Sequence, residues 1–288
     1  MTIQNEYLQV EIAALGAELT RIVDRRTGEE LLWEGDLTYW KRHSPILFPN
    51  VGKNYDNRLW VNGTAYRTSQ HGFARDRVFD VLEAAGDRGV FRLCSDADTL
   101  ACYPFAFELH VDYALEGPAL RVCWTVKNPG AETMYFTIGG HPAFRFAPGT
   151  QKQDYCLTFP GRDALEYILL DPDTGAALPE DRYAIRLEDH RLPLSEALFA
   201  RDALVFDGGQ IEEVWLCRAD GTPRVGMRCP GFPNYGVWSV KGAPFVCLEP
   251  WIGRCDDRGF AQDVSRKPGI VALPGQETFE AAYEIVLG

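Results

Sequence analysis

The chain has 288 residues, 46% of them hydrophobic, and a formal net charge of −12 at neutral pH. That balance leaves no basic surface to neutralise a nucleic-acid backbone, and no apolar run approaches the roughly 18 residues of a spanning helix. Neither a basic segment nor an apolar signal core is visible in the opening MTIQNEYLQVEI, so no membrane association and a cytoplasmic location are expected.

The eight cysteines are Cys94, Cys102, Cys123, Cys156, Cys217, Cys229, Cys247 and Cys255. They form no CxxC pair and no compact zinc spacing. Several lie inside apolar alternating runs, such as Arg121–Val126 and Phe245–Leu248, where a free cysteine acts as a small core residue. A reduced protein is the expectation.

In chain order, short runs rich in strand formers occupy Tyr7–Ile12 and Glu18–Val23. A weak helical turn is predicted around Leu37–Lys41. Phe105, Phe107, Leu109, Val111, Tyr113 and Leu115 then alternate with mostly polar residues, the period of a strand with one buried face. Leu120, Val122, Trp124 and Val126 repeat it beyond a Glu116-Gly-Pro118 turn, so a hairpin is predicted. Further strands are predicted at Met134–Ile138, Glu213–Cys217, Tyr235–Val240, Phe245–Glu249 and Phe279–Ile285, with a second helical turn around Ser195–Leu198. Glycines and prolines punctuate the chain at strand-like intervals, and no linker or internal repeat divides it. The expected architecture is all-β: one large antiparallel β-sandwich forming a single domain over residues 1–288.

Three segments depart from ordinary strand or turn composition. Ser69-Gln-His-Gly-Phe-Ala-Arg-Asp76 gathers an imidazole, an aromatic ring, a guanidinium and a carboxylate. Ile138-Gly-Gly-His-Pro-Ala-Phe144 places His141 after a strand end and two glycines. Cys247-Leu-Glu-Pro-Trp-Ile-Gly-Arg254 ends an apolar strand on Glu249. A proline directly after His141 and another after Glu249 hold both residues in extended backbone. Each segment alone also has a structural explanation: a turn histidine, one carboxylate among many, aromatic rings in a core.

Taken together, HGFARD, GGHPAF and LEPW, with Ser44-Pro-Ile-Leu-Phe-Pro-Asn-Val-Gly52 upstream and Pro274-Gly-Gln-Glu277 near the end, resemble the aldose 1-epimerase (galactose mutarotase-like) family. The likeness is to its shorter bacterial branch and extends from about residue 5 to the C-terminus. It implies a β-sandwich with a sugar cleft on one concave sheet and no cofactor. His141 would then be the general acid, Glu249 the general base and His71 a second imidazole near the ring oxygen. Arg75 would bind sugar, and Asp202 is the best match for a sugar-binding aspartate. Trp251 and Phe73 could stack on the pyranose, and Asn50 could hydrogen-bond a hydroxyl; core packing and a turn role are the competing explanations.

The chemistry suits these residue types. Mutarotation needs a proton taken from the C1 hydroxyl and another delivered to the ring oxygen, and acid–base catalysis of that kind contributes about 10²- to 10⁴-fold. Histidine can hold either form near neutrality, and a nearby Glu249 carboxylate is expected to favour the imidazolium. Arg42, Lys53, Arg58, Arg75 and Arg254 lie in or near the cleft segments, leaving open a free or a phosphorylated hexose as the small-molecule partner. A glycosidase would need a second carboxylate, for which Asp256 and Asp257 read more simply as a polar loop. His71, His141 and Glu249 contain a possible metal-ligand set without compact spacing, and no metal is expected. A non-catalytic sugar-binding protein on the same fold is the main competitor. Both a monomer and a dimer remain compatible with the sequence.

Overall fold

A computed structural model describes residues 1–288 and is almost entirely antiparallel β-sheet, with one six-residue α-helix at Ala97–Cys102. Two large sheets carry the fold. The first has nine strands, ordered Arg191–Pro193, Tyr155–Thr158, Glu213–Arg218, Pro223–Arg228, Thr278–Leu287, Ala119–Lys127, Glu108–Glu116, Arg88–Cys94 and Asp80–Ala85. The second has eight. Seven run Ala177–Arg186, Ala164–Leu170, Leu204–Asp207, Asn234–Trp238, Phe245–Ile252, Ile138–Gly140 and Ile46–Leu47, and Ala143–Arg145 also pairs with Phe245–Ile252. The first thirty residues add a four-stranded sheet.

The two-residue periodicity explains the layering. In Glu108–Glu116, Leu109, Val111, Tyr113 and Leu115 are buried while the residues between them are half-exposed. Ala119–Lys127 pairs with it in register, Val111 opposite Trp124 and Tyr113 opposite Val122, as the predicted hairpin requires. The inner faces of both sheets meet in a core of 58 buried residues, including Leu109, Val122 and Tyr283 from one sheet and Leu204, Val237 and Leu248 from the other. Burying each such side chain is worth about 1.5–3 kcal/mol, which is what drives the two faces together.

The turn expected around Leu37–Lys41 is present, with the Tyr39 and Trp40 N–H groups both donating to Asp36 O at 3.1 and 3.0 Å, and that expected around Ser195–Leu198 is a 3₁₀ turn at Ala197–Phe199. One element differs from expectation. The Met134–Ile138 run divides: Met134–Phe136 pairs with Val271–Leu273, whereas Ile138–Gly140 enters the eight-stranded sheet. The break falls at Thr137, whose N–H donates to Pro49 O and whose Oγ1 accepts from Val51 N–H at 2.8 Å, so neighbouring chain replaces the sheet ladder there. All eight cysteines are free, five of them buried. No helix is long and apolar enough to cross a membrane.

What positions the site is the outer face of the eight-stranded sheet. Along Phe245–Ile252, Val246 and Leu248 join the main core. The alternate residues Phe245, Cys247 and Trp251 belong to smaller clusters on the opposite side, and Glu249 shares their face by period.

Candidate active site

That outer face floors a cleft of about 660 Å³ lined by residues of eight separate chain segments. Glu249 and His141 lie at its base. Glu249 is 1% exposed on the Phe245–Ile252 strand, and His141, 7% exposed, follows the Ile138–Gly140 strand. His141 Nε2 and Glu249 Oε2 are 3.3 Å apart, yet Oε2 and His141 Nδ1 are both buried without a hydrogen-bond partner. The imidazole is held by packing: Trp40 stacks on it at 4.8 Å between centroids, and Trp238 meets it edge-on at 5.7 Å.

Burial moves both groups toward their neutral forms. It pushes the Glu249 carboxyl well above the usual carboxylate range, with Asp202 adding to the rise and the Trp251 indole opposing it. It pulls His141 down to about 3, helped by the positive charges of Arg75 and Arg42. The expectation that Glu249 would hold His141 as an imidazolium is therefore corrected. In a site this dry, desolvation of two charges outweighs their mutual attraction. Burial thus favours the neutral forms of both members, a protonated carboxyl and an unprotonated imidazole, over an ion pair.

His71 reaches the same cleft, its ring 5.5 Å from that of His141 and nearly perpendicular to it. Its backbone is left-handed, with φ of 64°, and is clamped to Gly52. The His71 N–H donates to Gly52 O at 2.7 Å, and Nδ1 accepts from Gly52 N–H at 3.1 Å. That second bond assigns the neutral ring's proton to Nε2. Burial, His141, Arg75 and Arg42 together keep the His71 pKa well below its ordinary value.

Arg75 and Asp202 also line the cleft. Arg75 Nη2 donates to Gln70 O at 2.6 Å, while its Nε is buried and unpartnered. Asp202 is exposed at the rim, with Oδ1 accepting the Ala203 N–H at 2.8 Å. Trp251 lies flat on the sheet beside Glu249. A Cβ at Gly139 or at Gly236 would come within 2.4 Å of its indole, so these two glycines make the ring's seat.

Asn50 and Phe73 are not brought into this cleft. Asn50 is buried, and its Nδ2 donates to Gly52 O and Ser69 O, tying together the two loops that carry the His71 clamp. Phe73 packs against Phe48, Tyr103 and Phe107. Both line a separate hollow of about 230 Å³ that includes neither His141 nor Glu249. Their neighbours in the motifs face the cleft, but successive residues of a turn point to different sides. Trp40, Trp238 and Cys247 went unnoticed in the sequence as parts of the site. Trp40 lies in the segment read as a helical turn, and Trp238 ends an ordinary apolar strand, so only their aromatic character marks them. The donor atoms near enough to share an ion are those of His141, Cys247 and Glu249, all within 4.8 Å of one another, rather than a set including His71.

The fold and site define a class: an antiparallel two-sheet sandwich with an imidazole–carboxyl pair in a cleft on one sheet's outer face. The pattern that describes the family "Aldose 1-epimerase" matches residues 1–180, and the chain belongs to that family. It is 32% identical to the chromosomal and plasmid LacX proteins of Lactococcus lactis subsp. lactis, over 100% of this chain and 99% of each relative. A galactose mutarotase related enzyme from Lactobacillus acidophilus has a similar crystal structure, with TM-score 0.94 and 30% identity over 100% of this chain and 97% of that one. A galactose mutarotase-like protein from Lactobacillus casei gives TM-score 0.91 and 30% identity, covering 100% and 99%. The fold is thus the galactose mutarotase-like β-sandwich.

Proposed function

We propose that this chain is an aldose 1-epimerase that interconverts the α and β anomers of a hexose, with His141 and Glu249 performing the proton transfers. The observation that carries the reading is the pair itself: two buried, unpartnered acid–base groups 3.3 Å apart at the base of a sugar-sized cleft. Ring opening takes the proton of the C1 hydroxyl onto one group while the other protonates the ring oxygen. The aldehyde rotates about C1, and closure on the other face reverses both transfers. One shared proton is enough for this cycle. Moved from Glu249 to His141 as the sugar enters, it produces the acid His141 and base Glu249 that the family likeness implies, at unchanged total charge.

The lining supports a pyranose. Trp40, Trp238 and Trp251 offer apolar faces, while His71 Nε2–H, Arg75 and Asp202 offer donors and an acceptor for hydroxyls. The chain is proposed to act as one unit over residues 1–288, which is supported by a core drawing on both ends, from Ile3 to Leu287. The eight free cysteines support a reducing, cytoplasmic setting.

Saturation-transfer NMR of anomer exchange in glucose and galactose tests the proposal. The wild type should accelerate exchange, and Glu249→Gln and His141→Asn should each lose about 10²- to 10⁴-fold. A folded wild type that binds sugar without accelerating exchange would leave a sugar-binding protein instead.

A further inference from the structure

In a chain with net charge −12, the cleft lining gathers four cations: Lys41, Arg42, Lys53 and Arg75. Two other basic residues near the motifs are excluded. Arg58 lies outside the lining, and Arg254 is neutralised by Asp207 at 3.2 Å and Asp257 at 2.6 Å. The acids within the lining do not balance the four. Glu249 lies at the base of the cleft, where burial pushes its carboxyl well above the usual range and disfavours its negative form. Asp171 accepts the backbone N–H groups of Asp173 and Thr174 and pairs with Arg258 at 3.2 Å. Asp202 is left as the only unpaired carboxylate of the lining.

The cations themselves are sparsely paired. Neither Lys41 nor Lys53 has a carboxylate within 4.0 Å. Arg42 and Arg75 share one, Asp76: Arg42 Nη2 reaches it at 2.7 Å, and Arg75 Nε only at 3.8 Å. Arg75 Nε is consequently a buried N–H with no acceptor. Like charges so placed repel, and Arg42 adds to the burial that lowers Arg75 to about 10. A cleft whose cations outnumber its available carboxylates destabilises the unliganded protein unless its ligand brings the missing charge.

We infer that the sugar bound here carries a phosphate monoester, with the phosphoryl oxygens held by Arg42 and Arg75 and drawn in by the field of Lys41 and Lys53. A phosphoryl dianion supplies three strong acceptors, and guanidinium groups match its geometry in paired hydrogen bonds. The inference rests on the mutarotase reading for turnover but not for binding.

Two readouts separate these. Calorimetry measures binding of glucose 6-phosphate, galactose 6-phosphate, glucose, galactose and inorganic phosphate, and saturation-transfer NMR measures anomer exchange of the four sugars. The expected result is at least about tenfold tighter binding, and a correspondingly higher kcat/KM, for a phosphorylated sugar over its free counterpart. That preference should weaken as salt is added. Arg42→Gln should reduce the preference about tenfold. Lys53→Gln, which removes no ion pair or hydrogen bond of the folded chain, should reduce it by a smaller factor. Equal or better binding of free sugar overturns the phosphate site while leaving the mutarotase intact. Tighter binding of the phosphorylated sugar without faster exchange overturns the mutarotase and keeps the phosphate site. Inorganic phosphate that binds as tightly as the sugar phosphate, or a preference unchanged in both variants, also overturns the inference.

Discussion

His141 and Glu249 show how far a dry environment moves ordinary side chains. His141 is pulled down to about 3 and Glu249 is pushed well above its usual range, so the one-proton state of the pair spans a wide interval. A second proton enters only when the pH falls far below the ordinary histidine pKa of about 6.5. The shared proton leaves only above the raised Glu249 pKa. The kcat/KM profile for catalysed anomer exchange should therefore stay flat as pH falls through 6.5 to about 5. A loss centred near 6.5 would show that a solvated histidine, rather than this buried pair, governs the acid side. The indole seat makes a second test. Gly236→Ala places a methyl 2.4 Å from Trp251. Overpacking of that kind costs about 1–3 kcal/mol, read by urea denaturation, and tilting the ring beside Glu249 should lower kcat/KM as well. The pairing of His141 with Glu249 was legible only through the family likeness of their two segments, each of which alone also reads as ordinary structure. Asn50 and Phe73 were not, because membership of a motif does not say which side of the loop a side chain faces.

Strands with one wet face could be read directly, as the Glu108–Lys127 hairpin shows, since burial alternates there residue by residue. Ala177–Arg186 escaped because it is an edge strand whose middle residues are nearly all exposed, leaving no apolar period to detect. The Ala97–Cys102 helix escaped for the opposite reason: six residues are too few for a 3.6-residue repeat. Its signal was instead local. Asp96 Oδ1 accepts the Thr99 N–H at 2.7 Å, and Thr99 Oγ1 accepts the Asp96 N–H at 2.8 Å, closing a reciprocal cap. A helix this short is stabilised largely by its cap and its packing. Asp96→Ala should lower unfolding free energy by about 1 kcal/mol in urea denaturation. Anomer exchange should be unchanged, because the helix contributes nothing to the cleft lining.

Across the whole molecule, one buried ion pair sits where segments far apart in sequence meet. Asp256 and Lys267 are each 2% exposed at the side chain and lie 2.9 Å apart. Asp256 Oδ2 also accepts the Tyr55 N–H at 2.8 Å, its backbone N–H donates to Lys53 O, and its carbonyl accepts from Ala177 N–H. In sequence Asp256 reads as an ordinary polar loop residue; only the fold shows it fastening the loop beside the cleft to an edge of the eight-stranded sheet. Lys267→Met would leave the Asp256 carboxylate buried without its counter-charge, which typically costs about 3–5 kcal/mol. Replacing both residues, as Asp256→Leu with Lys267→Met, removes the uncompensated charge but strands the Tyr55 N–H, a loss of about 1–3 kcal/mol. The double variant should thus be more stable than Lys267→Met alone, an order that simple addition of two destabilising changes does not give. Urea denaturation of both variants and the wild type measures it. A double variant less stable than Lys267→Met would mean that Asp256 matters through its backbone-directed hydrogen bonds, with the ion pair contributing little.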